Sequence, residues 1–154
     1  MTGGKPDSAK EHSVSLEDVK QLFAEEVNRR ISHDRFIDRT EEREILHLAI
    51  QQGIGHEPAR NALLQVCNAQ GYVLESQAVN SIRKIIDTFT ETDGVISQKE
   101  FLDAITILKK ECQGQRTEQQ CKKMVVQILE ANQVKAKQGL FNHWYNAVKR
   151  EVGM

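Results

Sequence analysis

A chain of 154 residues, 39% hydrophobic and 28% charged, is long enough to bury a core and has the balance of a soluble globular protein. Its formal net charge of −1, with acidic and basic residues interleaved, leaves no patch for nucleic acid or for a membrane surface. No apolar run reaches the roughly 18 residues a membrane helix needs. The polar start from Met1 to Lys10 lacks the apolar core of a secretion signal. Three cysteines without a Cys-x-x-Cys pair fit free thiols in a reducing cytoplasm.

Residues 1–14 hold almost nothing to bury, and a disordered tail is expected there. Ser15 has N-cap chemistry, with Glu17 and Asp18 at the positive end of the helix dipole. Leu16, Val19, Leu22, Phe23 and Val27 then recur at helical spacing and predict a first helix ending near Ile31. Asp38 and Glu41 have capping-box spacing and open a second helix, with Ile45, Leu48 and Ala49 on one face and Gly53 suited to its end. A third helix starts between Gly55 and Pro58, carries Ala59, Ala62, Leu63, Val66 and Cys67, and stops at Gly71. Tyr72, Val73 and Leu74 read as a short apolar connection packed onto the core.

Ser76 is the expected cap of a fourth helix bearing Val79, Ile82, Ile85, Ile86 and Phe89. Ser97 and Glu100 form a capping box for a fifth, with Phe101, Ala104, Ile105 and Leu108, ending near Gly114. Thr117 and Gln120 form another for a sixth, with Cys121, Met124, Val125, Ile128 and Leu129. A polar link, residues 132–138, leads to a seventh helix with Phe141, Trp144, Tyr145, Val148 and Val152 along one side.

The segment from Asp34 to Glu41 returns as Asp93 to Glu100, an offset of 59, and Ala62 to Cys67 aligns with Met124 to Leu129 at 62. Each half reads as helix, acidic turn, helix, loop, helix. The expected fold is all-α: one compact bundle of about seven helices over residues 15–154. It is built as two pseudo-symmetric halves, about 15–74 and 76–131, plus a closing helix at about 138–152.

The second acidic turn resembles part of an EF-hand. Gly94 takes the sharp-turn position, Ile96 the apolar one and Glu100 the final bidentate one, while Glu91 and Asp93 fall on the third and fifth ligand positions. Glu91, Asp93 and Glu100 are therefore the candidate ligands for Ca²⁺ or Mg²⁺, although Phe89 stands at the first position. The first turn departs further, with Arg30 first, Ser32 third and Arg35 in place of the glycine. Asp-Gly is also ordinary turn chemistry, and capping alone accounts for Asp38/Glu41 and Ser97/Glu100.

The order of acidic turn, apolar residue, Glu at a helix start, glycine break and further amphipathic helix runs from Asp34 to Leu64, with Gly53-Ile54-Gly55 as the break. It begins again at Asp93. This pattern resembles the tellurite-resistance B-like (TerB-like) helical domains over most of residues 15–131. The resemblance implies an all-helical, non-enzymatic module of a kind linked in some cases to stress responses, metal handling or chaperone-related proteins. It carries no catalytic residue onto this chain.

No two of the five histidines, His12, His33, His47, His56 and His143, pair at zinc-ligand spacing, with each other or with a cysteine. Cys67 and Cys121 lie on apolar helix faces, where cysteine acts as a small hydrophobe. No glycine-rich phosphate loop or Gly-x-Ser-x-Gly elbow occurs. Trp144 and Tyr145 are the candidate partner-binding residues; the other reading of Trp144 is a side chain that seals the second half. The function expected is a non-catalytic cytoplasmic helical module that binds an unknown protein partner and needs no cofactor, nucleic acid or membrane. The alternative is a divalent-metal-responsive protein using Glu91, Asp93 and Glu100.

Overall fold

The computed structural model describes residues 14–30, 34–139 and 143–154. The expected tail, except Val14, and Phe141 lie outside these residues, as do His12, Ser32 and His33. The chain is all-α, with seven helices and four two-residue strands among the described residues. It divides into two compact units, Met1–Leu74 and Glu75–Met154. No described helix is long and apolar enough to cross a membrane.

The first unit runs α1 (Leu16–Arg30), β1 (Phe36–Ile37), α2 (Arg39–Gln51), α3 (His56–Gln70) and β2 (Val73–Leu74). Local chemistry sets the ends of the helices. At α1 the Ser15 hydroxyl accepts from the Asp18 N–H (3.1 Å) and the Asp18 carboxylate accepts from the Ser15 N–H (3.4 Å). At α2 the expected capping box is complete, Asp38 and Glu41 each accepting from the other's backbone. α3 starts after Gly55 with no side-chain cap, and ends at Gly71, whose φ of 76° closes the helix in the left-handed region.

α3 packs most extensively on α1 and next on α2. Val19, Phe23 and Val27 meet Ala59, Ala62, Leu63, Val66 and Cys67, with Ile45, Leu46 and Ala49 completing the core. Val14 packs against this core from outside. The buried stripe of α2 is Glu42, Ile45, Leu46 and Ala49, the i, i+3, i+4, i+7 pattern, so Leu46 rather than Leu48 faces inward. A polar residue at the first of those positions hid the true phase. Glu42 is 6% exposed and faces the Arg60 guanidinium at 3.8 Å.

Tyr72 to Leu74 is buried, as expected, but Val73 and Leu74 also pair in parallel with Phe36 and Ile37. The α2–α3 hairpin is the crossover that a parallel pair requires. Two residues per strand are too few for an alternating pattern to show in sequence.

The second unit runs α4 (Glu75–Phe89), β3 (Val95–Ile96), α5 (Gln98–Glu111), α6 (Glu118–Ala131), β4 (Lys135–Ala136) and α7 (Trp144–Glu151). α4 begins at Glu75, so Ser76 lies inside its first turn and is not the cap the sequence suggested. The boxes at Ser97/Glu100 and Thr117/Gln120 are both formed. β3 and β4 pair in parallel, Val95 with Lys135 and Ile96 with Ala136, over the α5–α6 crossover.

α7 is shorter than the expected 138–152. Residues 137–139 are not helical, and the Gln138 side chain instead accepts from the Tyr145 N–H at 3.0 Å. Trp144 packs on Phe101 with ring centroids 5.2 Å apart, and its indole N–H donates to the Lys137 carbonyl at 3.0 Å. With Trp144 only 6% exposed, Trp144→Ala is expected to destabilise the second unit by roughly 3–5 kcal/mol. Urea titration followed by far-UV circular dichroism measures this. Ser97→Ala, which removes only a cap, should cost about 1 kcal/mol in the same assay.

Candidate functional site

The acidic turns were the richest chemistry in the sequence, and the two share one hydrogen-bond pattern. In the first, Asp34 Oδ1 accepts from the Phe36 N–H at 3.3 Å. Asp38 Oδ1 accepts from the Glu41 N–H (2.8 Å), and Glu41 Oε1 from the Asp38 N–H (3.1 Å). In the second, Asp93 Oδ1 accepts from the Val95 N–H at 3.1 Å. Ser97 Oγ accepts from the Glu100 N–H (3.1 Å), and Glu100 Oε1 from the Ser97 N–H (2.9 Å). The neighbouring strands match too: the Val73 N–H donates to the Arg35 carbonyl (2.8 Å) and the Lys135 N–H to the Gly94 carbonyl (3.3 Å).

The turns differ at the position of Gly94. Gly94 has φ of 71°, which glycine adopts without steric cost, whereas Arg35 is not in the left-handed region. Arg35 instead donates to the Gln70 carbonyl at 2.9 Å and lies over the Tyr72 ring at 5.3 Å. The Tyr72 hydroxyl donates to Asn28 Oδ1 at 3.1 Å, which links the turn to α1. The arginine that breaks the EF-hand pattern thus tethers its turn to the end of α3.

Of the three candidate metal ligands, Asp93 and Glu100 each already accept a backbone N–H, and Glu91 is exposed. Among the described residues no three His, Cys, Asp or Glu side chains are gathered to hold a metal ion. Calcium takes six to eight oxygens, so the donors as arranged do not form a complete shell. The described histidines likewise join no such cluster.

Trp144 and Tyr145, the candidate partner residues, are 6% and 7% exposed and belong to the interior of the second unit. The Tyr145 hydroxyl donates to Glu130 Oε2 at 3.2 Å, and Lys149 Nζ donates to Glu130 Oε1 at 2.6 Å. The Lys149 hydrogen bond, with that of Tyr145, holds the Glu130 carboxyl below its ordinary value of 4.5. Burial, then the Glu130 charge, pushes the Tyr145 phenol above its ordinary range.

All three cysteines are buried and free. Burial pushes the Cys67 thiol up to about 12, the state of an inert core thiol. Cys112 ends α5 and Cys121 lies in the first turn of α6, and both side chains are fully buried.

No protein-family model, curated protein or solved structure matches this chain.

With a hydrophobic residue at the first ligand position, calcium and magnesium are expected to bind the second turn more weakly than about 10⁻⁴ M and the first turn not at all. Isothermal titration decides. Micromolar binding that disappears in both Asp93→Ala and Glu100→Gln would assign the turn to a sensor site.

The Glu130 contacts predict an acid-sensitive α7. A depressed folded-state value stabilises fully above the unfolded value, near 4.5, and the contribution is lost as pH falls through the folded value. Emission from the single tryptophan, Trp144, should report loosening below about pH 4.5. Glu130→Gln should lack that component of the transition.

Proposed function

We propose that this chain is a non-catalytic helical module that acts through contacts with another protein. In this reading its two units are copies of one helix–strand–helix–helix–strand repeat. One observation carries it: the hydrogen bonds of the two acidic turns recur residue for residue at the offset of 59 seen in sequence. The strand registers agree, since Phe36 and Val95 stand 59 apart while their partners Val73 and Lys135 stand 62 apart.

Glu100, which looked like a metal ligand, serves in the cap that starts α5. Support for a partner comes from the surface, where Leu16, Ile50, Leu102 and Met154 are exposed large apolar side chains. Leu102, half exposed on α5 beside the fully buried Phe101, is the clearest of these. The TerB-like sequence pattern favours a stress- or chaperone-associated setting, and three cysteines without a Cys-x-x-Cys pair favour a reducing cytoplasm. A divalent-metal-responsive protein is the second reading, favoured by the left-handed Gly94 in an EF-hand-like turn.

Affinity capture of the full chain from its native source tests the leading reading. Wild type should retain a specific protein that Leu102→Glu or Leu16→Glu loses while keeping its helical circular dichroism. Equal recovery by wild type and both variants, or no specific protein at all, counts against it.

A further inference from the structure

One face of α5 is packed, and the opposite one is open beside a cavity. Phe101, Ala104, Ile105 and Leu108 are its buried stripe. Leu102, Thr106 and Lys109 stand at i, i+4 and i+7 and are all exposed, so they form a second stripe on the outer side. Leu102, at 50%, is the most exposed large apolar side chain among the described residues. Its stripe runs into an open cavity of about 480 Å³. Ile105, Thr106, Lys109 and Lys110 of α5 line that cavity, and Glu118, in the first turn of α6, lines it from across the loop.

The charges here are unevenly matched. Among the described residues, neither Lys109 nor Lys110 forms an ion pair. Asp103, the carboxylate next to Leu102, is held by Lys99 at 3.1 Å. The Thr106 hydroxyl is satisfied within the helix, donating to the Leu102 carbonyl at 3.1 Å. The helix dipole accounts for two lysines in the last turn of α5. It does not account for a leucine left exposed in line with them.

From this alignment of an exposed leucine with a lysine-lined cavity, we propose that the outer face of α5 docks an acidic amphipathic segment of a protein partner. The segment sets an apolar side chain on Leu102 and carboxylates against Lys109 and Lys110. The inference rests on the partner reading above, and it names the surface used and the chemistry of what binds there.

Leu102 and Lys109 are about 10 Å apart along the helix axis. A helical ligand therefore carries its apolar anchor about two turns from its carboxylates, the spacing on which groove-binding helices present their contacts. At about 480 Å³ the cavity has room for a ligand side chain beside the lysine stems. Glu118 disfavours a carboxylate on the α6 side, which confines the acidic residues of the ligand to the lysine side. The lysines are exposed, so their pairs are solvated rim contacts that select the partner and speed its approach, while the apolar anchor supplies affinity.

The test selects phage-displayed random peptides of about 16 residues, long enough for four helical turns, on the immobilised full-length chain. Enriched peptides are expected to combine a Leu, Ile, Phe or Trp with a pair of acidic residues. Synthetic copies are then titrated by fluorescence anisotropy. Leu102→Glu should weaken binding by at least about tenfold. Lys109→Glu with Lys110→Glu should weaken it more than Lys109→Gln with Lys110→Gln, and added salt should bring wild type towards the glutamine variant. Lys123→Glu, a charge reversal at an exposed site of α6 outside the cavity, should leave binding unchanged. All these positions are exposed, and helical circular dichroism checks that each variant folds. Enrichment of neutral or basic peptides, no enrichment, or binding indifferent to the Leu102, Lys109 and Lys110 variants overturns the proposal. So does sedimentation showing that wild type pairs with a second copy of itself and that Leu102→Glu abolishes the pair. A native partner lost by Leu16→Glu but kept by Lys109→Glu with Lys110→Glu leaves the partner reading standing and refutes this surface. Acidic peptides that bind with the expected variant effects, while capture from the native source returns no protein, uphold the surface and count against the partner reading alone.

Discussion

Both units depend on one local device, the reciprocal cap that joins a strand to a helix. In each turn a short polar side chain and a carboxylate three residues on exchange backbone hydrogen bonds, Asp38 with Glu41 and Ser97 with Glu100. The exchange satisfies two of the N–H groups that a helix start leaves open, and it fixes the direction in which the helix leaves the strand. Because β1 and β3 immediately precede the caps, the same bonds set where Ile37 and Ile96 point. Both of these side chains are buried.

The parallel pairs then close each unit. A parallel pair is non-local, and the helix hairpin between its strands is the crossover that lets them lie side by side. That puts the burden on helix packing: α3 on α1 and α2 in the first unit, α5 and α6 on each other and on α4 in the second. The turns reinforce it differently. In the first, Arg35 and Tyr72 tie the strand region to α3 and α1, while in the second Gly94 turns the backbone in the left-handed region and Asp93 accepts from the Val95 N–H.

This economy bears on function. Two of the carboxylates that read as metal ligands in a linear sequence, Asp93 and Glu100, are held in place by the backbone they organise. Cys121, which shares an apolar helix face with Val125 and Ile128, is fully buried with them, as a small hydrophobe would be.

The sequence by itself determined the all-α class, the order of seven helices and the starts of five of them. Capping boxes, glycine stops and 3.6-residue periodicity are local, and each acts within a few residues. It also carried the offsets of 59 and 62 that the turns and strands follow. It misplaced what depends on distant neighbours. Leu46 replaced Leu48 because a buried Glu42 opens the stripe, and a charge enters a core only where a partner such as Arg60 stands near. The strand pairs, the short α7 and the burial of Tyr145 were set by contacts across long stretches of chain, whereas Trp144 is buried as its sealing reading had it. Only the tertiary structure could bring Phe36 and Ile37 to Val73 and Leu74, because the α2–α3 hairpin between them has to reverse the chain before two parallel strands can lie side by side.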